Sequence, residues 1–498
     1  MSTLAATPGG AGLLERYFGF AARGTTLARD SMAGVTTFVV MSYIIFVNPS
    51  ILTGVTHPPL GAPLAFSAVL TSTCLVAGVM SILMGLSTNY AYAIAPGLGL
   101  NAVVAFGLVA SGKASFPEAM GLVVLEGAAM VLLAVSGLRE LIFKAIPLEL
   151  KKAIAIGIGL FIAFIGLFNS GIVASEPANG TPVQLGSFTT WPIFVAVMGI
   201  LFTFALRAIR FRGDLIVGII GTTVLATLVN WGTNYKAFGH GTDGAVWPGW
   251  HHLYASPNFH LLGKISLHSF SSTQLGVIAS VVWVFSLFLS DFFDFSGTAI
   301  GVGTQAGYVD QDGNIPQFKK ALIVDGLAAV AGGAASASSA TTYIESGSGV
   351  AAGGRTGWVA VIAGLLFFPF MFISPLIGMV PKEATAAALV IVGWLMISTL
   401  TEMEGEAEGK GGSKLAGIDF HDLAIGLSAA LAIMIMPFTY SITNGIGFGF
   451  ITYTVICAAR REWKRIHPFM WIVSAAFVLY FLVPVLQQHV SWFGGHLA

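Results

Sequence analysis

Residues 91–101 read AYAIAPGLGLN, and this short stretch breaks an apolar run that continues to about Ala110. Pro96 donates no backbone hydrogen bond and the glycines Gly97 and Gly99 weaken a helix, so regular helix stops before Asn101. A helix that restarts there has unpaired N–H groups and a positive dipole end at membrane depth. Exposed backbone is tolerated at that depth only where it is buried in protein or lines a cavity. The simpler alternative is a Pro/Gly kink closed by neighbouring helices.

The composition of the whole chain indicates that a membrane is its solvent. Of the 498 residues, 55% are hydrophobic and 9% are charged, whereas about 25% of an ordinary soluble domain is charged. Apolar runs about 20 residues long, the length of a spanning helix, recur at 32–52, 63–86, 116–137, 148–170, 189–208, 213–231, 274–298, 355–379, 384–400, 419–437 and 441–459. Two further runs, 91–110 and 333–352, are apolar but interrupted. The sequence therefore predicts an all-α polytopic membrane protein with about fourteen transmembrane segments.

The charged residues predict the orientation of the chain. Lys plus Arg and Asp plus Glu are both 23, so nothing indicates a nucleic-acid partner. Residues 1–31 show no cleavable signal, and we expect the first span to be retained. Cytoplasmic loops are rich in Lys and Arg, and one set of alternate loops holds most of them, namely Arg16, Arg23, Arg29, Arg139, Lys144, Lys151, Lys152, Arg207, Arg210, Arg212, Lys319, Lys320, Arg355, Lys410, Lys414, Arg460, Arg461, Lys464 and Arg465. We expect a cell (plasma or inner) membrane protein with a cytoplasmic N-terminus.

Three other features are interpreted as ordinary structure. The longest outer connection, 232–273, contains five histidines at spacings that fit no standard zinc pattern, so we expect a solvated extracellular loop and no metal site. Residues 401–417, rich in Glu, Gly and Lys, are expected to form a flexible linker. Cys74 and Cys457 lie in apolar runs and are expected to be buried thiols.

The second interrupted run has a different chemistry. Residues 332–347 read GGAASASSATTYIESG, and their small and hydroxyl residues favour an extended stretch. Thr342 followed by Glu345 resembles a capping box, which predicts that helix resumes around Thr342. A cut near residue 250 is expected to divide about fourteen segments into two halves of seven, each with a broken third member, and the second half must then enter the membrane with opposite polarity. Paired discontinuous segments of this kind are typical of transporter binding sites. The apolar run 468–487 is a surplus to this count.

A pair of carboxylates marks the run 274–298. Residues 291–298 read DFFDFSGT, which places Asp291 and Asp294 on one face of a helix. A carboxylate at the centre of a membrane costs at least ~2.5–3.5 kcal/mol, so the pair is expected to face a polar interior and to have a function. Two neighbouring carboxylates repel each other when both are charged, which favours capture of a proton. The alternative is that the helix ends near Leu289 and the pair lies at the membrane interface.

Weaker signals come from polar residues in other apolar runs. Glu126 is interpreted as a satisfied helix-packing carboxylate. Asp325 either braces the second broken segment or relays a proton. The Asn48–Pro49 step in the first run is noted without an assigned role.

At these motifs the sequence resembles the azaguanine-like (AzgA-like) purine permeases of the nucleobase-cation symporter superfamily. The likeness extends from Ala33 to the basic run near Arg460, and its most specific parts are 95–101, 291–298 and 341–346. The resemblance implies a 7+7 inverted repeat with a core of segments 1–4 and 8–11 and a gate of segments 5–7 and 12–14. It also implies proton-coupled uptake of adenine, guanine or hypoxanthine, no cofactor, and often a homodimer.

The resemblance also implies a division of the chain and a set of site residues. The division is a cytoplasmic N-terminal segment 1–31, core 32–137, gate 138–231, extracellular loop 232–273, core 274–379, gate 380–459, and a basic turn with an extra apolar segment 460–498. The implied substrate residues are Asn101, Asp291, Asp294 and Glu345, with Gly97, Gly99, Thr342 and Tyr343 around them. Phe292 or Phe295 is a candidate to stack on the purine ring or to face lipid. Proton coupling is expected from Glu345, Asp291, Asp294 or Asp325.

Two other functions are compatible with parts of the pattern. An anion transporter of the same fold, for sulfate or bicarbonate, would have broken segments, but acidic residues beside them disfavour it. An intramembrane aspartyl protease would use an aspartate pair, but its carboxylates must converge to share a proton. Two aspartates three residues apart on one helix fit that requirement poorly.

Overall fold

The structure is a computed structural model that describes residues 12–54, 64–137, 146–176, 181–211, 213–239, 245–272, 275–308, 315–405 and 418–489. Within these ranges, eight helices are long and apolar enough to cross a membrane, and four shorter apolar helices accompany them. These observations confirm the predicted all-α polytopic membrane protein. Several predicted features fall outside the described residues, namely Arg139, Lys144, Arg212, His240, Lys410, Lys414 and most of the linker 401–417.

The first seven segments are mostly single helices. Segment 1 comprises helices Leu27–Met41 and Ile44–Thr53, segment 2 is Phe66–Thr88, segment 3 contains strand β1 (Ile94–Pro96), helix Leu98–Ala102 and a π-helix over Val103–Ala110, segment 4 is Phe116–Ser136, segment 5 is Leu148–Asn169, segment 6 is Trp191–Ala208 and segment 7 is Asp214–Gly232. A short helix, Leu13–Phe18, precedes them, and a hairpin of strands β2 (Val173–Glu176) and β3 (Thr181–Leu185) joins segments 5 and 6.

The second seven segments follow the loop that ends before segment 8. Segment 8 is Gly276–Ala306, segment 9 is Phe318–Ala334, segment 10 contains strand β4 (Ala340–Thr342) and helix Ser346–Ala351, segment 11 is Trp358–Phe367 with a 3₁₀ turn over Phe368–Phe372, segment 12 is Lys382–Gly405, segment 13 is Leu423–Phe438 and segment 14 is Ile442–Ala459. A short helix, Ser374–Gly378, precedes segment 12, and a C-terminal helix, Pro468–His489, ends the described chain.

Four features of the segments differ from those predicted. The first segment begins at Leu27, five residues earlier than expected, because Thr26 caps it by accepting a hydrogen bond from the Arg29 amide at 3.2 Å. The continuation of segment 3 is π-helical, whereas ordinary helix was expected. Segment 9 does not appear among the predicted apolar runs, because Phe318–Ala334 contains two lysines, Asp325 and many small residues. Segment 8 runs unbroken to Ala306, so the alternative that it ends near Leu289 is wrong.

The segments pack in two groups through close backbone approaches. In the first group, segment 4 packs on segment 9 and segment 2 packs on segment 11. A side chain at Gly127 would come within 2.7 Å of the Gly326 carbonyl, and one at Gly364 within 2.6 Å of the Gly78 carbonyl. In the second group, segment 5 packs on segments 12 and 13, and segment 6 packs on segment 12. Small residues at such crossings let helices approach closely where lipid supplies no hydrophobic driving force.

The surplus apolar run forms a helix that packs on the rest of the chain. The C-terminal helix contacts segments 14 and 8. Its Tyr480 ring lies edge-on to Trp283 with centroids 6.4 Å apart, and Phe477 lies 6.4 Å from Phe285. The run 468–487 is therefore an additional helix that follows the fourteenth segment.

Candidate substrate site between the two broken segments

The two broken segments cross at the centre of the first group of helices. Strands β1 and β4 pair antiparallel, with Ile94 opposite Thr342, Ala95 opposite Thr341 and Pro96 opposite Ala340. The pairing extends beyond the strands, because the Gly97 amide donates to the Ser339 carbonyl at 2.8 Å. All of these strand residues are buried. The kink-only alternative for segment 3 is therefore wrong, since its backbone is extended and is paired with the other broken segment.

Side chains from segments 2 and 9 support the outer edges of the two strands. In segment 2, the Ser81 hydroxyl accepts from the Ile94 amide at 2.8 Å and donates to the Ile94 carbonyl at 2.9 Å. In segment 9, the Asp325 carboxylate accepts from the Thr342 amide and hydroxyl, both at 2.8 Å, and from the Thr341 hydroxyl at 3.1 Å. The geometry therefore assigns Asp325 a bracing contact, one of the two roles considered for it.

The helix of segment 10 begins later than the sequence pattern indicated. It starts at Ser346, with Glu345 at the preceding cap position and no side-chain cap hydrogen bond. Thr342 is a strand residue whose hydroxyl is bound to Asp325. The predicted capping box of Thr342 and Glu345 is therefore wrong, and the Glu345 carboxylate remains available for other contacts.

Glu345 lies at the crossing and is 6% exposed. The Tyr43 hydroxyl of segment 1 donates to its Oε1 at 2.6 Å. Asp294 of segment 8 and Tyr343 both lie within electrostatic range of this carboxylate. The Tyr43 and Tyr343 rings are 6.4 Å apart, and the Tyr343 hydroxyl donates to the Pro96 carbonyl at 2.5 Å. Three segments thus surround one buried carboxylate with two phenol rings and a second carboxylate.

Asn101 presents an unpaired acceptor in the same region. Its amide nitrogen donates to Asn48 Oδ1 at 2.6 Å, and Asn48 in turn donates to the Thr73 hydroxyl at 2.7 Å. Both asparagines are fully buried, and among the described residues Asn101 Oδ1 has no hydrogen-bond partner. A buried carbonyl oxygen without a donor is costly, so a ligand N–H group would satisfy it.

The two aspartates of segment 8 have different surroundings. Asp294 faces Glu345 and is partly buried, whereas Asp291 is fully buried and faces Glu126 of segment 4. Glu126 Oε2 accepts from the Ser339 hydroxyl at 3.1 Å, but its Oε1 has no partner among the described residues. The interpretation of Glu126 as a satisfied packing carboxylate is therefore only half right.

Three of the predicted site residues make packing contacts, namely Phe292, Phe295 and Gly99. Phe292 lies 6.1 Å from Phe288 of the same helix, and Phe295 lies edge-on to Phe318 at 5.3 Å. Both are buried inside the protein, so neither faces lipid. A side chain at Gly99 would come within 2.9 Å of Ile158 Cγ2 in segment 5, which identifies Gly99 as a close contact between the two groups of helices.

Sequence reasoning missed Tyr43, and it gave Asn48 no role. Both lie in segment 1, and their contacts reach segments 3 and 10 across the fold. A phenol and an amide in an otherwise apolar run were the available signal, but only the packing reveals their partners.

Comparisons with known proteins agree with this architecture. A family model described as "Permease family" matches residues 29–407. The chain is 37% identical to the adenine permease AdeP of Escherichia coli, over 94% of this chain and 96% of that protein. It is 35% identical to the guanine/hypoxanthine permease PbuG of Bacillus subtilis, over 94% and 99% respectively. Among solved structures, the transmembrane domain of a cyanobacterial bicarbonate transporter, BicA, shares the fold with a TM-score of 0.57 at 15% identity, covering 85% of this chain and 97% of that one.

The family match covers most of the chain, and two relatives match over nearly their whole length. The protein is therefore a membrane transporter and not an enzyme, which excludes the aspartyl protease alternative. The chain belongs to this permease family, which confirms its resemblance to the azaguanine-like purine permeases.

Proposed function

We propose that this protein is a secondary active transporter that takes up purine nucleobases, namely adenine, guanine and/or hypoxanthine, together with protons. The observation that carries the proposal is the Glu345 carboxylate, which is buried between the broken segments and faces Asp294. A carboxylate at membrane depth is costly and is retained where it binds a ligand or a proton. Alternating access of this site, by movement of the first group of helices against the second, would complete the transport cycle.

The chemistry of a purine fits the groups at the crossing. A purine has several N–H donors and ring-nitrogen acceptors along the edge of a flat ring. Glu345 and Asp294 supply carboxylate acceptors, and Asn101 Oδ1 supplies a further acceptor that has no donor among the described residues. The Tyr43 and Tyr343 rings supply aromatic faces near the same point. Phe292 and Phe295 are already packed against other rings, so the tyrosines are the better candidates for contact with the base.

The relatives support the same substrate class. AdeP is named as an adenine permease and PbuG as a guanine/hypoxanthine permease, and both align with nearly the whole chain. An anion transporter is the competing proposal, because BicA shares the fold. Two carboxylates at the crossing disfavour an anion transporter, since a site for an anion requires the positive N-terminal ends of helices without a negative charge nearby.

The packing supports the proposed 7+7 inverted repeat. When the two halves are exchanged, segments 4 and 9 take the places of segments 11 and 2, so the contact between 4 and 9 becomes the contact between 2 and 11. In the same way, the contact between segments 5 and 13 becomes the contact between 6 and 12. Ser81 and Asp325, in the corresponding segments 2 and 9, accept from the amides of Ile94 and Thr342, which lie opposite each other in the strand pair. The first group then corresponds to the proposed core and the second to the gate. A homodimer in the plasma or inner membrane, with a cytoplasmic N-terminus, completes the proposal.

Radiolabelled uptake tests the proposal most directly. The full-length protein is expressed in cells that lack purine transport, and uptake of adenine, guanine and hypoxanthine is measured at two pH values. We expect saturable uptake that is faster at the lower external pH and is competed by purines, but not by uracil, sulfate or bicarbonate. Competition by the anions alone would support the anion transporter instead.

Variants at Glu345 test the site itself. Glu345→Ala and Glu345→Gln should abolish uptake while leaving expression unchanged. Glu149→Gln, at the start of segment 5 and away from the crossing, is the matched control and should transport like the wild type. Normal uptake by a well-expressed Glu345 variant would refute the role of this carboxylate.

A further inference from the structure

Asp291 and Glu126 form a buried carboxyl pair beside strand β4, where the Glu126 carboxylate accepts from the Ser339 hydroxyl. Asp291 belongs to segment 8 and Glu126 to segment 4, and both are 0% exposed. Segments 4 and 8 pack against each other, and each of the two carboxyl groups acts electrostatically on the other. Glu345 is the neighbouring carboxylate that acts on Asp294, whereas Glu126 is the main one that acts on Asp291.

Protein donors do not satisfy the pair. Among the described residues, neither oxygen of Asp291 and not Oε1 of Glu126 has a hydrogen-bond partner. The nearby Thr341 hydroxyl donates its proton to Asp325 instead. Ion pairs of the described chain lie elsewhere, at Asp214 and around Asp422. Within the described part of the chain, the two carboxyl groups therefore face each other, and Glu126 alone also accepts from the Ser339 hydroxyl.

A single proton shared by Glu126 and Asp291 would remove the repulsion between their carboxyl groups. Two adjacent carboxylates in a buried site cannot both be ionised without strong repulsion. When one of them is protonated, its O–H group donates to the other, and two of the three unpaired oxygens become partners in one hydrogen bond. Removal of that proton leaves two negative charges facing each other, with a third carboxylate, Asp325, close by in segment 9.

We propose that Glu126 and Asp291 form the binding site of the transported proton, apart from the purine site of Glu345 and Asp294. This inference rests on the proposed purine–proton symport and locates its second substrate. It assigns a transport function to Glu126, which the sequence pattern alone indicated to be a packing residue.

Two physical connections link the proton pair to the purine site. Asp291 and Asp294 lie one helical turn apart on segment 8, so a shift of that helix moves both carboxylates. Glu126 contacts Ser339, which immediately precedes strand β4 and whose carbonyl accepts from Gly97. The titratable groups that face the pair are Asp325 from segment 9 and Asp294 from segment 8 itself. Loss of the proton would therefore strain both broken segments at once.

Transport by purified full-length protein in liposomes separates proton coupling from purine binding. Two measurements are made with radiolabelled adenine and hypoxanthine: accumulation driven by an imposed pH gradient, and exchange against nucleobase loaded inside at equal pH. Entry of protons on addition of adenine is followed with an enclosed pH-sensitive dye. Glu126→Gln is the main variant, because its amide oxygen still accepts from Ser339. Asp291→Asn is the second variant, should Glu126→Gln fail to fold.

We expect both variants to lose gradient-driven accumulation and adenine-induced proton entry while they retain exchange. Glu118→Gln is the matched control: it lies at the start of the same segment, in a capping box that glutamine also satisfies, and should retain all three activities. Accumulation at the wild-type level in a folded Glu126→Gln or Asp291→Asn protein would overturn the inference. Loss of exchange together with accumulation in a folded variant would also overturn it, because the pair would then serve binding or structure. A wild-type protein that exchanges no nucleobase would refute the proposed function, and this inference with it.

Discussion

Asp325 offers a sharp test of how the second broken segment is held in place. Its carboxylate accepts three hydrogen bonds from Thr341 and Thr342, and it is completely buried. Asp325→Ala removes both acceptor oxygens, and so all three hydrogen bonds, and leaves a backbone amide and two hydroxyl groups without these partners. Asp325→Asn is the matched variant, because its carbonyl oxygen can still accept from Thr342 while its amide group donates to the Thr341 hydroxyl.

The size of the effect follows from the number of bonds. Hydrogen bonds between side chains inside membranes contribute about 0.6 kcal/mol on average and about 1.7 at most. Three of them give a loss of about 2–5 kcal/mol for Asp325→Ala, whereas Asp325→Asn should lose less than about 1 kcal/mol. Since Glu345 follows Thr342 by three residues, the alanine variant should also transport more slowly when it folds.

Thermal unfolding in detergent provides the measurement. Cys74 and Cys457 are both buried, so a thiol-reactive fluorescent dye reports unfolding without any engineered label. All variants are heated at one scan rate, because unfolding of such proteins is often irreversible. We expect a clearly lower Tm for Asp325→Ala and a Tm close to the wild type for Asp325→Asn. A stable Asp325→Asn protein that exchanges purine but has lost proton-driven accumulation would refute the bracing role and restore the proton-relay alternative.

Two further predictions concern orientation and pH. Leu13 and Trp250 are 86% and 78% exposed, so cysteines introduced by Leu13→Cys and Trp250→Cys should be accessible to a membrane-impermeant maleimide. Trp250→Cys should react in intact cells, whereas Leu13→Cys should react only after the cells are permeabilised. The reverse pattern would contradict the proposed orientation of the chain. Asp422 caps segment 13 and accepts from Arg465 at 2.5 Å, and this hydrogen bond, followed by that of the Ala424 amide, holds the pKa of the Asp422 carboxyl below its usual value. Because the folded-state pKa is depressed, its stabilising contribution is complete above the unfolded pKa of about 3.9 and is lost as the pH falls through the folded value. Asp422→Asn should therefore lower the Tm at pH 7, by an amount that shrinks towards pH 3, and a difference that does not change with pH would contradict this reasoning.

The sequence was sufficient to predict most of the architecture, because lipid imposes strong rules on composition. Long apolar runs identified the continuous helices, and Pro96 with Gly97 located the first break. The ninth segment was missed because Asp325 and its many alanines and glycines lower the hydropathy of Phe318–Ala334. This loss of hydropathy is harmless on the faces of the segment that segments 2 and 4 cover.

Tertiary contacts decided the features that local patterns could not. Thr342 and Glu345 have the spacing of a capping box, yet pairing of β4 with β1 keeps Thr342 extended. The Thr342 hydroxyl donates to Asp325 and does not cap a helix. The contact of Tyr43 with Glu345 joins residues 302 positions apart, and no local pattern reports such a distance. The facing of Glu126 and Asp291 is likewise a product of helix packing.

The pairing of β1 with β4 has a mechanical consequence. Each half of the chain contributes one strand, and the strand residues are buried. Pulling the strands apart would leave their backbone groups unsatisfied inside the protein, at a high cost. The two broken segments therefore do not separate to admit a ligand. They move together as one rigid unit, and a ligand bound between them is exposed to either side of the membrane only when this unit slides along the neighbouring helices.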